Sequence, residues 1–259
     1  MKRYCLFMTL MFACLCMFAQ TLGRGTKIEG ATKEAADKLY GSEKYEEAAE
    51  YYESLIANDG VASELYYNLG NCYYKLSDIP HAILNYERAL LLDPGDADIR
   101  ENLAIARGKT IDKVTPPSEM FFVSWWYNLV NTMSISKWLS VAVVAFILML
   151  SGIFVYAFFS RLLVRKIGIY GAFVLFFVVL LSNFSACSQR RQLSDRHSAI
   201  IISPVVAVKS SPSESSTDLF IIHEGSKVEI TDSSVKGWRE VKFEEGKMGW
   251  LPVEAIEVI

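Results

Sequence analysis

Two stretches of this chain run for more than twenty residues without an acidic, basic or histidine side chain. Leu139 to Ser160 is 22 residues and Ile167 to Gln189 is 23, and neither contains Asp, Glu, Lys, Arg or His. A helix needs about 20 apolar residues to cross the hydrocarbon of a bilayer, so each stretch is long enough for a span. With none of these five residue types inside them, neither offers an ion path or a proton relay. We place the spans at 138–160 and 167–189. The overall composition, 52% hydrophobic, exceeds the roughly 45–50% of a soluble chain, and these runs hold most of the excess. The connecting "RLLVRK" is too short for a domain and carries Arg161, Arg165 and Lys166, which favour the cytoplasmic side. Arg190, Arg191 and Arg196 follow the second span and weaken that assignment.

A third apolar run, residues 4–19, follows Lys2 and Arg3. It is short for a span and has the layout of a secretory signal, with cleavage after Ala19. A lipoprotein signal ending at Cys14 or Cys16 and a retained anchor are the alternatives. All three send the following residues across the membrane. The expected arrangement is therefore a membrane protein with two spans, both flanking regions outside the cytoplasm and only the hairpin tip inside. Three of the five cysteines lie in this signal, leaving Cys72 and Cys187. No CxxC or Cys/His cluster follows it, so no zinc site or redox dithiol is expected.

Between the signal and the spans the sequence repeats itself. Shifted by 34 residues, Ala48 falls on Ala82, Tyr52 on Tyr86 and Leu55 on Ala89. That period is the signature of the tetratricopeptide (TPR) helix–turn–helix unit. The second copy, 63–96, places Tyr66, Leu69, Gly70, Tyr73, Ala82, Tyr86, Ala89 and Pro94 at the signature positions. The first, 29–62, has Ala36 for the Gly and Gly60 for the Pro. A third helix, 97–107, reads as a solvating cap that closes the repeat region 29–112. Gly70 and Ala82 are small because the two helices of a repeat cross there. Cys72 belongs to the packing, and His81 is expected to be solvated on an exposed turn. "DPGDAD" lacks the remaining spacing of a calcium loop and reads as a turn and helix cap.

The TPR resemblance implies a concave partner-binding face built from the first helix of each repeat. On it stand Lys33, Asp37 and Tyr40 of the first copy and Tyr67, Asn68, Asn71, Tyr74 and Lys75 of the second. Lys33 and Asn68 match the pattern that holds a terminal carboxylate in some TPR proteins. Asp37 stands where that pattern wants Asn, and the third helix offers Asp98 and Asn102 rather than cations, so a carboxylate clamp is not expected. Residues 24–113 hold 11 Lys and Arg against 17 Asp and Glu, a net −6, which argues against nucleic acid.

"EMFFVSWWYNLVNTMS" precedes the first span, and its aromatics suit a helix lying in the membrane interface over 118–134. Beyond residue 198 the sequence turns to short β runs at 200–202, 205–209, 219–222, 227–231, 238–243 and 248–251, separated by Pro, Gly and Ser. "HEG" (His223 to Gly225), the pairs Gly237-Trp238 and Gly249-Trp250, and a last turn into a terminal strand resemble bacterial SH3-like domains. Residues 198–259 are thus expected to form a small barrel. Trp238 and Trp250 are its candidate ligand surface, with barrel packing the expected role of at least one.

The order of parts (signal, TPR units, membrane hairpin, SH3-like domain) resembles the BatE proteins of bacterial aerotolerance operons. The resemblance implies membrane partners with von Willebrand A domains, a MoxR-type ATPase and an envelope assembly linked to oxidative stress. The expected fold is multidomain: an all-α TPR solenoid, a transmembrane helical hairpin and an all-β SH3-like barrel. No triad, phosphate loop, metal spacing or paired carboxylate points to catalysis, and no cofactor is expected. The reading is a non-catalytic adaptor. A peptidoglycan-binding envelope factor and a subunit of an envelope enzyme are the alternatives.

Overall fold

A computed structural model describes residues 32–112, 120–194, 197–243 and 246–259. The signal at 1–19 lies outside them, as do residues 29–31 of the first repeat and the start of the pre-span region. Among the described residues five helices come first: α1 (Lys33–Gly41), α2 (Tyr45–Asp59), α3 (Ser63–Lys75), α4 (Ile79–Leu92) and α5 (Ala97–Arg107). Their starts are set by local chemistry. The Thr32 hydroxyl accepts from the Ala35 amide, Asp78 from the His81 amide, and Asp96 from the amides of Asp98 and Ile99. Each cap satisfies donors that the first helical turn leaves open. The 34-residue repeat extends to the turns: Glu43 and Ser77 both adopt a left-handed backbone, at φ 61° and 64°. Both sit where the chain reverses between the helices of a repeat.

Gly70 marks the helix crossing. A Cβ there would lie 2.7 Å from Tyr86 Cδ1 and 3.3 Å from the Ala82 carbonyl. Ala36, Ala48, Tyr52, Leu55, Leu69 and Cys72 form one buried cluster, and Ala82, Ile83, Tyr86, Ala89, Ile99 and Leu103 belong to a second. His81 corrects its sequence expectation. It is half-buried, its Nδ1 lies 2.8 Å from the Asp78 carboxylate, and its ring stacks on Tyr73 at 5.2 Å.

Then come α6 (Phe121–Val130), α7 (Ile135–Phe158) and α8 (Leu162–Ser194). α7 and α8 pack side by side, and their backbones meet at Gly152 and Gly168. A Cβ on either would lie 2.7 Å from the other's carbonyl oxygen, so the missing side chains let two backbones touch. Only 11% and 17% of their apolar windows are buried, which separates them from the core helices of a soluble domain. The hairpin tip is shorter than the sequence implied. Leu162 to Lys166 continue α8, leaving only residues 159–161 between the helices. Leu, Arg and Lys are good helix formers, and Arg165 folds back onto the Tyr156 ring, 4.9 Å from its centroid.

Seven antiparallel strands complete the chain: β1 (Ser198–Ile201), β2 (Val205–Lys209), β3 (Asp218–His223), β4 (Lys227–Asp232), β5 (Trp238–Phe243), β6 (Lys247–Pro252) and β7 (Ile256–Val258). They form one sheet in the order β3-β2-β6-β5-β4-β1-β7. β3 and β7 end the order without pairing to each other, so the sheet is open. Alternate residues of the strands, among them Val206, Val208, Ile222, Val228, Val241 and Leu251, enclose its core.

The sheet does not stand apart from the repeats. β1 packs on α4, and Ile200 and Ile259 complete the core of the second repeat. Full burial of one such side chain contributes about 1.5–3 kcal/mol. Charges frame the contact. Glu87 on α4 is 4% exposed, ion-paired with Arg107 and 2.9 Å from Lys227 Nζ on β4. Arg88 donates to Glu257 at 3.0 Å and to the Val258 carbonyl at 2.6 Å.

Candidate functional site

The first helix of each repeat, α1 and α3, and the cap helix α5 face a common groove. Two clefts lie along it. One, of ≈ 300 Å³, is lined by Tyr40, Tyr67, Asn71, Tyr74, Lys75, Tyr86, Asn102 and Ile105. The other, of ≈ 150 Å³, is lined by Asp37, Tyr40, Tyr52, Asn68 and Asn71. Seven of the eight residues expected on the concave face line these clefts. The eighth, Lys33, sits beside them, paired with Asp37 at 3.0 Å and Glu64 at 2.8 Å.

Side chains hold one another in place across three helices. Asn71 Oδ1 accepts from the Tyr86 hydroxyl at 2.7 Å and from Asn102 Nδ2 at 3.0 Å. The same Asn102 nitrogen donates to the Tyr67 hydroxyl at 3.0 Å. In the second cleft the Tyr52 hydroxyl donates to Asp37 at 2.5 Å. Burial would raise the Asp37 carboxyl, but the hydrogen bonds from Tyr52 and Lys33 win and hold it below the usual range. Burial drives the phenols of Tyr52 and Tyr86 well above theirs, and that of Tyr40 upward. These hydroxyls therefore stay protonated donors. At one rim the Lys109 ammonium lies 4.0 Å from the centroid of the Tyr74 ring.

Asn102 corrects the expectation for the third helix. It does more than cap the repeats in water, because it ties α5 into the groove. Tyr52, Tyr86 and Ile105 also line the clefts and were not among the expected residues. Tyr52 and Tyr86 recur at the 34-residue period on the second helix of each repeat, and that signal reads as packing. Their rings do pack, while their hydroxyls reach the groove.

The arrangement offers pre-ordered hydrogen-bonding groups for binding. The Cys72 thiol is fully buried, and burial pushes it up to about 12. Among the described residues no group of His, Cys, Asp and Glu could hold a metal ion. Asp112, His223 and Ser226 contain the residue types of a triad in the wrong order. Asp112 sits at the centre, accepting from the His223 amide at 2.8 Å and from the Ser226 hydroxyl at 3.0 Å, with His223 Nδ1 3.1 Å away. A triad needs the His between the other two. Here the carboxylate ties the end of the repeats to the "HEG" turn.

Trp238 and Trp250 are half-buried and absent from the sheet core. Trp238 pairs with Pro252 and Trp250 with Glu240, which puts both indoles on the sheet face opposite Val241 and Leu251. Neither fills the core, contrary to the expectation for at least one, because the inward positions of β5 and β6 are taken by Val241, Phe243, Gly249 and Leu251.

No curated protein matches the chain. Residues 63–96, which are α3, α4 and the turn that follows, match the family model described as Tetratricopeptide repeat; this part of the chain is a TPR unit, a protein-interaction repeat.

Proposed function

We propose that the chain is a non-catalytic membrane-bound adaptor whose TPR groove holds a segment of a partner protein. The observation that carries this reading is the groove itself. Five tyrosines and three asparagines line it, and the hydroxyls of Tyr67 and Tyr86 and the amides of Asn71 and Asn102 are fixed by one another. Pre-ordered aromatic and amide groups bind with little entropic cost, and interface energy concentrates in a few aromatic-centred contacts. The groove residues we assign to the partner are Lys33, Asp37, Tyr40, Tyr67, Asn68, Asn71, Tyr74 and Lys75.

In this reading the C-terminal sheet is an SH3-like domain, and α7 and α8 cross the bacterial inner membrane with repeats and sheet in the periplasm. The signal-like N-terminus and the basic hairpin tip support that orientation. The order of parts supports a place in a BatE-type envelope complex with von Willebrand A domain partners, linked to aerotolerance. A second reading, peptidoglycan binding, is favoured by the two indoles on the outer face of the sheet. Binding of the full chain to purified cell wall, lost in Trp238→Ala/Trp250→Ala, would establish it.

The adaptor reading is tested with a photo-crosslinking residue at Tyr74 in native membranes. The crosslinked partner is expected to disappear in Tyr67→Ala/Asn71→Ala and to persist in Cys72→Ala/Cys187→Ser. Persistence in the first variant, checked to be folded by circular dichroism, together with loss in the second would replace the groove with a thiol-based mechanism.

A further inference from the structure

α6 is apolar almost throughout, "FFVSWWYNLV", and the described residues leave much of its surface exposed. Trp126 packs on Phe184 of α8, with ring centroids 5.3 Å apart. Val130 is fully buried, and its carbonyl accepts from Trp138 Nε1 at 2.8 Å and from Gln189 Nε2 at 2.6 Å. The remaining surface carries Phe121, Phe122 and Trp125, which are 81%, 57% and 59% exposed. Three large aromatics on a ten-residue helix form the kind of contiguous apolar patch that soluble surfaces rarely leave to water.

Two observations say what covers this patch. It is continuous with the exposed apolar surface of the hairpin, because the ring that Trp126 touches, Phe184, is itself largely exposed. It also lies at a particular level on α8. Six residues beyond Phe184 the helix presents Arg190 and Arg191, both exposed. At 1.5 Å per residue that is about 9 Å, a depth similar to the 5–10 Å to which an interfacial helix sinks its apolar face. Trp and Tyr collect at this level of a bilayer, and α6 holds Trp125, Trp126 and Tyr127.

We propose that α6 lies in the membrane interface with Phe121, Phe122 and Trp125 inserted among the lipids, and that it seats the repeats on the bilayer surface. The link to the repeats is direct. The turn after α6 meets the turn between α4 and α5, where a Cβ on Gly95 would strike the Thr132 carbonyl. Beside it Lys137 Nζ lies 2.9 Å from Asp93. The groove is then held at a fixed height above the lipid. This inference rests on the reading of α7 and α8 as spans.

The test is tryptophan quenching in the full chain reconstituted into phosphatidylcholine nanodiscs. The lipids carry bromine either near the headgroup end of the acyl chains or near their terminal methyls. The Trp125 signal is the difference between the wild type and Trp125→Phe, and Phe176→Trp reports on the span. Headgroup-end bromine is expected to remove about half or more of the Trp125 signal and to act more strongly than terminal bromine. The Phe176→Trp signal should show the reverse order. An unquenched Trp125 signal beside a quenched Phe176→Trp signal would overturn the proposal, since water, a second copy or another protein would then cover α6. An unquenched Phe176→Trp signal would overturn the membrane reading and the proposal with it.

Discussion

Gly225→Ala should loosen the sheet from the repeats, by an amount that divides into two parts. Gly225 sits in the "HEG" turn at φ +78°, and a Cβ there would lie 2.6 Å from Thr110 Cγ2 and 3.1 Å from Ile83 Cδ1. Thr110 cannot turn its methyl away cheaply. Its hydroxyl is hydrogen-bonded to the carbonyls of Arg107 at 2.9 Å and Asp112 at 3.0 Å. The left-handed backbone costs a residue with a Cβ about 1–2 kcal/mol, paid within the sheet domain. Overpacking against Thr110 and Ile83 adds about 1–3 kcal/mol and falls on the junction. Hydrogen exchange at the His223 amide, which donates to Asp112 across the junction, reads the opening. The junction share predicts roughly 5- to 150-fold faster exchange. Thr110→Ser removes Cγ2 and keeps the hydroxyl, so the double variant Gly225→Ala/Thr110→Ser should recover most of that factor and none of the backbone cost. Unchanged exchange in Gly225→Ala would refute the reasoning. Failure of Thr110→Ser to rescue would show that Thr110 is not the obstacle.

The other expectations concern the packing, the charges and the membrane seat. Gly70→Ala drives a Cβ into Tyr86, whose hydroxyl is held by Asn71; a loss of about 1–3 kcal/mol should lower the melting midpoint of the repeats by roughly 4–8 °C per kcal/mol, and an unshifted melt would place the helix crossing elsewhere. Burial would raise the carboxyls of Glu87 and Asp112, but Lys227 and Arg107 beside the first, and His223 and Ser226 beside the second, hold both below their ordinary values. Their contribution is therefore complete above the unfolded values of about 4.3 and 3.9 and is lost as pH falls through the lower folded ones. Energy transfer between labels at Val61 and Ser213 should stay constant from pH 7 to about 5 and fall below about 4; a constant signal down to about pH 2 would show that these carboxylates do not hold the junction. Gln189→Leu removes two hydrogen bonds, each 2.6 Å long, to the carbonyls of Val130 and Met133. At about 0.5–1.5 kcal/mol each, exchange of the Asn131 and Thr132 amides should quicken about tenfold, and unaltered exchange would show that Trp138 alone secures the turn.

The sequence displayed what repeats or alternates and hid what meets across a distance. The 34-residue period located α1 to α4 and the crossing at Gly70, because a repeat helix carries its packing code within a few turns of itself. Six of the seven strands were legible from alternation and turn residues. The face that the TPR resemblance assigned to a partner holds Tyr67, Asn71 and Lys75 at spacings of four, which puts the three on one side of α3. The docking of sheet on repeats was not. Its one local trace is the unbroken apolar run of β1, where Ala199 and Ile201 enter the sheet core while Ile200 enters the repeat core. A run buried on both faces looks the same whatever covers it. Glu87 reads as one more charge of an acidic domain until Lys227, 140 residues away, comes beside it. Asn102 reads as a polar residue on a cap until Asn71 and Tyr67 are placed opposite.

That docking also bears on topology, where charge counting is weakest. The hairpin tip has Arg161, Arg165 and Lys166, but Arg190, Arg191 and Arg196 stand at the other end of α8, so the basic residues do not choose a side by number alone. The junction supplies a constraint that owes nothing to charge. Ile200 and Ile259 are buried among Ile83, Ile99 and Leu103, and the His223 amide is bonded to Asp112. Residues before α7 and residues after α8 therefore lie on one face of any bilayer the hairpin crosses. The described residues then cross it an even number of times, with the tip on the far side. With both modules joined this way, the sidedness of either one determines that of the other. Cysteines placed at Val61 and Ser213 in a cysteine-free chain should react together with an impermeant reagent or not at all. Labelling of one without the other in sealed vesicles would mean that the repeats and the sheet do not share a core.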